Sequence, residues 1–373
     1  MASKKLQRIG IPLDLVMRLK RHGVYTCKDF LSKNQLELLN MTGLTRTKLQ
    51  KLIEDVSKAA QPEHTTVLDL YQRRSGPAFF PTSLPSLDRL LHGGLPCGTV
   101  TEIAGPPGCG KTQFCIMFSV LSTLPPTMGG ISGGVAYIDT ESAFSAERLV
   151  EIARCRFPDY FGTNENLKNL CSRVHIYQES TCRQLQEKLD MIEEDIIKYG
   201  IKLIIVDSIA SLVRKEFDSR LQGNMIERTS LLAKQAATLK YLAEAFFIPV
   251  VVTNQITTKI GQVTSMQAGQ HETERKAVLE DERGFVTAAL GNTWGHSVNT
   301  RLVLQYRDGD TDRELIISKS PVSPAAQFVY SIKSEGIVLK GTEDGSKLLD
   351  LREGDPCQQK ICVKTPEQVK LCP

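Results

Sequence analysis

The sequence predicts an α/β protein: a mostly parallel twisted sheet wrapped by helices and carrying a phosphate-binding loop, preceded by a small all-α domain. Three observations predict it. The apolar run Gly98 to Ala104 ends in Gly105-Pro106-Pro107-Gly108-Cys109-Gly110-Lys111-Thr112, and Gln113 to Leu121 then has helical periodicity. A strand, a glycine-rich turn and a helix N-terminus thus converge on one anion-binding point. From residue 98 onward, apolar strand-like runs alternate with helical stretches, the pattern of a parallel sheet covered on both faces. The first 60 residues carry 12 Lys and Arg against 5 Asp and Glu, a net +7, although the whole chain is only +4. A basic module on a near-neutral body fits an anionic polymer as partner, or the solvated face of an ordinary helical domain.

At 373 residues the chain has room for two domains, one with a full core. No apolar run approaches the roughly 18 residues of a membrane span, so no membrane partner is expected. The opening residues, Met1 to Arg8, lack an apolar signal core, and secretion is not expected. Ten cysteines without a Cys-x-x-Cys pair argue against structural zinc and for a reducing compartment. Cys109 and Cys115 are expected to be passive.

Taken in order, residues 1–60 read as a basic helical domain with helices at Pro12 to His22, Thr26 to Ser32, Asn34 to Met41 and Thr45 to Ala59. Between the last two, Gly43 can take the positive φ that reverses the chain, and Thr45 can cap the helix that follows. This is a helix-hairpin-helix pattern. Its turn can present backbone N–H groups to a DNA phosphate, with Arg46, Lys48 and Lys51 adding charge; a four-helix protein-docking module accounts for it equally well. Residues 61–84 have linker composition, and residues 85–340 form the core. Its expected strands are Gly98 to Ala104, Gly134 to Asp139, Val174 to Tyr177, Leu203 to Asp207, Pro249 to Thr253, Thr300 to Gln305 and Glu314 to Ser318. Helices are expected at Leu87 to His92, Ser145 to Cys155, Cys182 to Tyr199 and Arg228 to Ala245. Residues 341–373 lose periodicity and read as a disordered or variant tail.

Chemistry gathers at strand ends. The stretch Gly105 to Thr112 matches the phosphate-loop pattern G-x-x-x-x-G-K-[ST], in which Lys111 neutralises the β and γ phosphates of ATP and the Thr112 hydroxyl ligates Mg²⁺. The run Val135 to Glu141 ends in an acid at the carboxyl end of a strand, where doubly wound sheets place their sites. Glu141 is therefore a candidate general base for the water that attacks the γ-phosphate. Lys202 to Ser208 is an apolar strand ending in Asp207, a candidate Mg²⁺ residue acting through water. The third, Val250 to Gln255, ends in an amide placed to sense the γ-phosphate.

Together these residues resemble the RecA-like recombinase family, in particular its eukaryotic members and their accessory paralogues. The likeness runs to about Leu339. It includes Gln72-Arg73-Arg74-Ser75, the phosphate loop, Tyr137-Ile138-Asp139-Thr140-Glu141, Glu147-Arg148-Leu149, the strand ending at Asp207, Thr253-Asn254-Gln255 and Gly291-Asn292-Thr293-Trp294. The resemblance implies a RecA-like ATPase core and a nuclear, DNA-dependent ATPase of double-strand break repair. It further implies assembly with other recombinase paralogues, action on single-stranded or branched DNA, and help to the strand-exchange recombinase in building its filament. Gln255 would couple nucleotide state to DNA. A first channel loop, Arg214 to Arg228, would offer Arg214, Lys215, Arg220 and Arg228 to phosphates; a second would span Ile256 to Leu290.

Three departures from the family pattern bear on assembly. Filament formers carry a Phe-x-x-Ala plug before Gln72-Arg73-Arg74-Ser75; here the aligned interface residues are His64-Thr65-Thr66-Val67. Loss of a buried aromatic anchor removes about 2 kcal/mol or more, so long self-filaments are not expected. In the second loop, His271 to Arg283 holds five acids against three bases, which suits a phosphate backbone poorly. Lys319 precedes Ser320-Pro321 where strand-exchange members have an acid, and reads either as a contact to a partner's γ-phosphate or as a solvated strand-end lysine. A competing reading is a non-catalytic scaffold in which ATP is structural.

Overall fold

The structure, a computed structural model, describes residues 4–61, 66–69, 78–217, 222–259, 285–288, 290–307, 312–341 and 347–348. They belong to two compact units, Met1–Ser75 and Gly76–Pro373. In the first, a 3₁₀ turn at Leu6–Ile9 precedes α1 (Leu13–Arg21), α2 (Cys27–Leu31), α3 (Gln35–Thr42) and α4 (Arg46–Ala60). The helix starts are specified locally. Thr26 and Asp29 form a reciprocal capping box, and Asn34 Oδ1 accepts from the Glu37 N–H at 2.8 Å, each satisfying donors that a helix start leaves orphaned. Leu6, Val16, Leu19, Phe30, Leu49 and Val56 make the small core. Gly43 reverses the chain at φ 66°. Thr45 stands at the N-cap of α4 but makes no cap bond; its hydroxyl pairs with that of Thr47 instead, at 3.3 Å.

The second unit begins with β1 (Phe79–Phe80), α5 (Pro85–Leu90) and β2 (Leu95–Pro96), with β1 antiparallel to β2. Next come β3 (Val100–Ala104), α6 (Lys111–Thr123), β4 (Gly134–Asp139), α7 (Ala146–Arg156), α8 (Pro158–Phe161), α9 (Asn164–Arg173) and β5 (Val174–Gln178). The chain continues through α10 (Cys182–Tyr199), β6 (Ile201–Asp207), α11 (Ile209–Glu216), α12 (Gln222–Phe246), β7 (Val250–Asn254), β8 (Ile256–Lys259) and β9 (Phe285–Ala288). It closes with α13 (Gly291–Ser297), β10 (Thr300–Tyr306), β11 (Arg313–Lys319), β12 (Ala326–Lys333), β13 (Gly336–Lys340) and β14 (Lys347–Leu348).

The main sheet runs β13-β12-β11-β10-β3-β7-β6-β4-β5, with β14 also on β12. Neighbours from β10 through β5 are parallel; the flank from β10 to β13 is an antiparallel meander. The parallel strands β3, β4 and β7 are buried along their whole length, as expected where helices cover both faces. One face packs Tyr137 and Leu304 against Phe114 and Phe118 of α6; the other packs Ile138, Ile204 and Val252 against Leu189, Leu239 and Trp294. Because β3, β7, β6 and β4 are adjacent and parallel, their carboxyl ends open on one side. That edge gathers the chemistry.

Three expectations differ from the structure. The first channel loop, expected from Arg214 to Arg228, is helical at both ends, with Arg214 on α11 and Arg228 on α12. The segment Ile256 to Leu290 starts and ends as a ribbon, β8 pairing antiparallel with β9 from Ile256↔Ala288 to Lys259↔Phe285, because alternating Ile, Thr, Val and Phe favour strands. The tail contributes β14 to the sheet through Ala326↔Leu348 and Gln327↔Lys347; residues 349–373 lie outside the described residues.

Candidate nucleotide site and the loops beside it

The phosphate loop fills the gap between β3 and α6. Gly108 and Gly110 have φ of 78° and 93°, a region open to glycine at little cost. Gly105 is required for another reason: a Cβ there would sit 2.5 Å from Leu304 O. Lys111 starts the helix, and its Nζ donates to the carbonyls of Gly105 (2.9 Å) and Pro106 (3.1 Å). Burial lowers the ammonium pKa, opposed by the charges of Asp207 and Glu141. A half-buried cation on the first residue of a helix, beside its N-terminal amides, is well matched to a polyphosphate.

Asp207 ends β6, buried beneath that loop. Its Oδ2 accepts from Thr112 Oγ1 and from Tyr137 Oη, both at 2.8 Å, and its Oδ1 accepts from Thr253 Oγ1. Burial raises the carboxyl pKa against the three hydroxyl donors that lower it. Thr112, while donating its hydroxyl proton, keeps oxygen lone pairs free for a cation. The hard-oxygen donor set of Thr112 and Asp207 fits Mg²⁺, which takes few protein ligands and keeps its waters.

Glu141 follows β4, exposed. Its Oε1 accepts from Ser208 Oγ at 2.5 Å and from Gln255 Nε2 at 2.8 Å. Gln255 Oε1 in turn accepts from an Arg214 amino group at 2.7 Å, and the other amino group of Arg214 donates to Ile256 O. Arg214 therefore lies in one chain of hydrogen bonds with the candidate base. Lys215 is exposed beside it on the last turn of α11. Arg228 on α12 is close enough for the Arg214 charge, after burial, to lower its pKa.

The remaining candidates are placed as follows. Arg46 and Lys48 are exposed on the first turn of α4, just past the Gly43 turn. Val67 is exposed in the first unit. Lys319 Nζ donates to Gly295 O (2.9 Å) and Val298 O (2.7 Å), capping α13 of its own chain. Arg220, His64 and the acidic stretch His271 to Arg283 lie outside the described residues. The site also uses Tyr137, Thr253 and Ser208, to which sequence reasoning assigned no individual role. Their signal is register: β4 and β6 pair Asp139↔Asp207, so hydroxyls one step beyond or across the sheet fall around the acids.

Cys109 and Cys115 are buried, as are Cys27, Cys97 and Cys182, whereas Cys155 and Cys171 are exposed. Burial pushes the Cys97 thiol up to about 12, and raises Cys115 well above its ordinary value. Brief alkylation with iodoacetamide at neutral pH, followed by peptide mass spectrometry, is expected to label Cys155 and Cys171 and to spare the five buried thiols. Rapid labelling of Cys109 would show a phosphate loop that opens far more than its contacts imply.

Among the described residues no helix is long and apolar enough to cross a membrane. The first unit matches the XRCC3/RpoA-like, helix-hairpin-helix domain over residues 6–60. DNA repair protein RAD51 homolog 2 of Homo sapiens is 53% identical over 348 residues, covering 92% of this chain and 90% of that protein. Its Mus musculus counterpart is 54% identical over 349 residues, covering 92% and 99%. DNA repair protein RAD51 of Saccharomyces cerevisiae is 30% identical over 334 residues, covering 90% and 77%. With the nucleotide loop, the paired acids and the parallel core all inside the matched residues 74–340, the chain belongs to the Rad51 family.

Proposed function

We propose that this chain is a DNA-dependent ATPase that acts in a heteromeric complex with other recombinase paralogues and promotes filament assembly by the strand-exchange recombinase in double-strand break repair. Membership of the Rad51 family carries the coarser part, a nucleotide-binding protein of recombinational DNA repair. The observation that best supports the finer part is the run Glu141–Gln255–Arg214, which ties the candidate base to an arginine beside the first channel loop. ATP would lie in the loop Gly105–Thr112 with Lys111 on its β and γ phosphates. Mg²⁺, held by Thr112 and by Asp207 through water, would neutralise phosphate charge as the bond breaks. Glu141 would orient and deprotonate the attacking water, and Gln255 would report occupancy to Arg214, Lys215, Arg220 and Arg228 on DNA. Arg46 and Lys48 would add phosphate contacts from the hairpin domain. The place of action is the nucleus.

Changed assembly contacts support heteromers over long self-filaments. His64 and Val67 stand where filament formers carry an aromatic plug and a small residue, and Lys319 would have to leave the carbonyls of α13 to reach a partner's γ-phosphate. A scaffold in which ATP is structural has its own support: Ser208 and Gln255 both donate to one oxygen of Glu141, which occupies that oxygen within the protein. Steady-state ATP hydrolysis, with and without single-stranded DNA, alone and with co-purified recombinase-like partners, separates the two. DNA-stimulated turnover is the expected result; tight ATP binding with no turnover in any combination would establish the scaffold.

A further inference from the structure

The outward side of the phosphate loop is held by residues about 200 positions later. Three consecutive loop carbonyls each accept a side-chain hydrogen bond. Tyr306 Oη donates to Pro107 O at 3.0 Å, Arg313 Nε to Gly108 O at 3.2 Å, and Tyr330 Oη to Cys109 O at 2.6 Å. The donors come from three neighbouring strands, β10, β11 and β12, and they are direct cross-strand partners: Tyr306 opposes Arg313, and Arg313 opposes Tyr330. One row of the antiparallel flank thus faces the loop. The row is knit together as well, with the Arg313 guanidinium 5.6 Å from the Tyr306 ring centroid.

The physical consequence follows from peptide geometry. In a planar trans peptide the carbonyl and the following N–H point opposite ways. Turning Pro107 O and Cys109 O toward the flank therefore turns the N–H groups of Gly108 and Gly110 away from it, into the cradle. Both glycines sit at positive φ, where an unsupported loop has many alternatives. Gly108 is also shaped to the row, since a Cβ there would lie 2.4 Å from Tyr306 Oη. Burial raises the pKa of both tyrosines, so the phenols remain donors across the physiological range.

We propose that Tyr306, Arg313 and Tyr330 are positioning residues for nucleotide binding, a cross-strand row that preorganises the phosphate-facing amides of the loop. The assignment rests on reading Gly105–Thr112 as the nucleotide-phosphate site. Donors that are already aimed lose less conformational freedom on binding, and the gain appears as affinity. If the row served only to attach the flank to the core, its loss would lower thermal stability and leave affinity alone.

The test is titration of the full chain with mant-ATP and Mg²⁺, alongside thermal melting without nucleotide, in wild type, Tyr306→Phe, Arg313→Met, Tyr330→Phe and the Tyr306→Phe/Arg313→Met pair. Loss of two bonds of ordinary net strength is expected to weaken mant-ATP binding by about tenfold or more in the pair, at a temperature where circular dichroism shows the protein fully folded. Arg313→Lys, which keeps an N–H donor, is expected to recover part of the affinity lost in Arg313→Met. Tyr306 and Arg313 are only half-buried, so these variants carry the test if Tyr330→Phe fails to fold. Unchanged affinity in the pair, with binding still abolished by Lys111→Ala, would overturn the positioning role alone. Binding that is absent in wild type, or indifferent to Lys111→Ala, would overturn the phosphate-site reading and this role with it.

Discussion

Replacing Arg301 by methionine is expected to cost the larger unit about 3–5 kcal/mol, the usual penalty for leaving a buried charge without its counter-ion. Glu102 on β3 is completely buried, and Arg301 on β10 is only 4% exposed. Arg301 Nε donates to Glu102 Oε2, while Oε1 accepts from Asn254 Nδ2 at 2.6 Å and Trp294 Nε1 at 2.9 Å. Two neutral donors remain after the substitution, too few to replace the hydration a carboxylate loses on burial. At this size the melting temperature is expected to fall by about 10 °C. The double variant Glu102→Gln/Arg301→Met removes both charges and is expected to recover much of the loss, because the single-variant penalty comes from the stranded charge more than from the lost attraction. Scanning calorimetry of wild type, single and double variants checks this. A single-variant loss below about 1 kcal/mol would mean that water or relaxation already serves Glu102.

The same cluster shows where sequence reasoning runs out. Asn254 precedes Gln255, and Trp294 lies in α13, so Glu102 ties together the two structural elements that flank residues 256–290. Nothing near Glu102 in the chain announces this: its partners are 152 to 199 positions away, and an acid inside Val100–Ala104 looks locally like a fault in an apolar strand. The phosphate loop, by contrast, was legible because its chemistry is contiguous, with glycines, lysine and threonine at fixed offsets in one turn. Asp207 was legible for a related reason, as a polar end to an apolar run. Boundaries held where local chemistry is strong: Cys182–Tyr199 is the helix expected, started by Thr181 and stopped by Gly200 at φ 59°. The strands Ala326–Lys333 and Gly336–Lys340 were not expected. Ala326, Phe328 and Tyr330 alternate with more exposed residues, the signature of an antiparallel strand, whereas the continuous apolar runs of the parallel core dominate the rest. Tyr306, Arg313 and Tyr330 are invisible to local pattern for the same reason as Glu102: only register brings them into one row.

Changing Glu141 to glutamine is expected to lower ATP turnover by about 10²–10⁴-fold, the usual contribution of a positioned general base, while nucleotide affinity stays close to wild type. Glutamine preserves shape and can still accept from Ser208 and Gln255 through its amide oxygen, so the hydrogen-bond run to Arg214 survives. It cannot take a proton from water. In the structure the two donors to Glu141 both use Oε1, and among the described residues no hydrogen bond is made to Oε2, the oxygen that would take the proton under this reading. Lys111 and Asp207 are untouched, so phosphate and metal binding should persist; mant-ATP titration and single-turnover hydrolysis on the same preparation separate the two effects. Equal loss of affinity and turnover would identify Glu141 as a binding group, and full turnover in the variant would place the base elsewhere. The predicted split, binding kept and hydrolysis lost, rests on one geometric observation: Glu141 follows β4, whereas the candidate phosphate and metal groups lie after β3 and at the end of β6, so the proposed water activation and nucleotide binding would fall to different strands of one sheet edge.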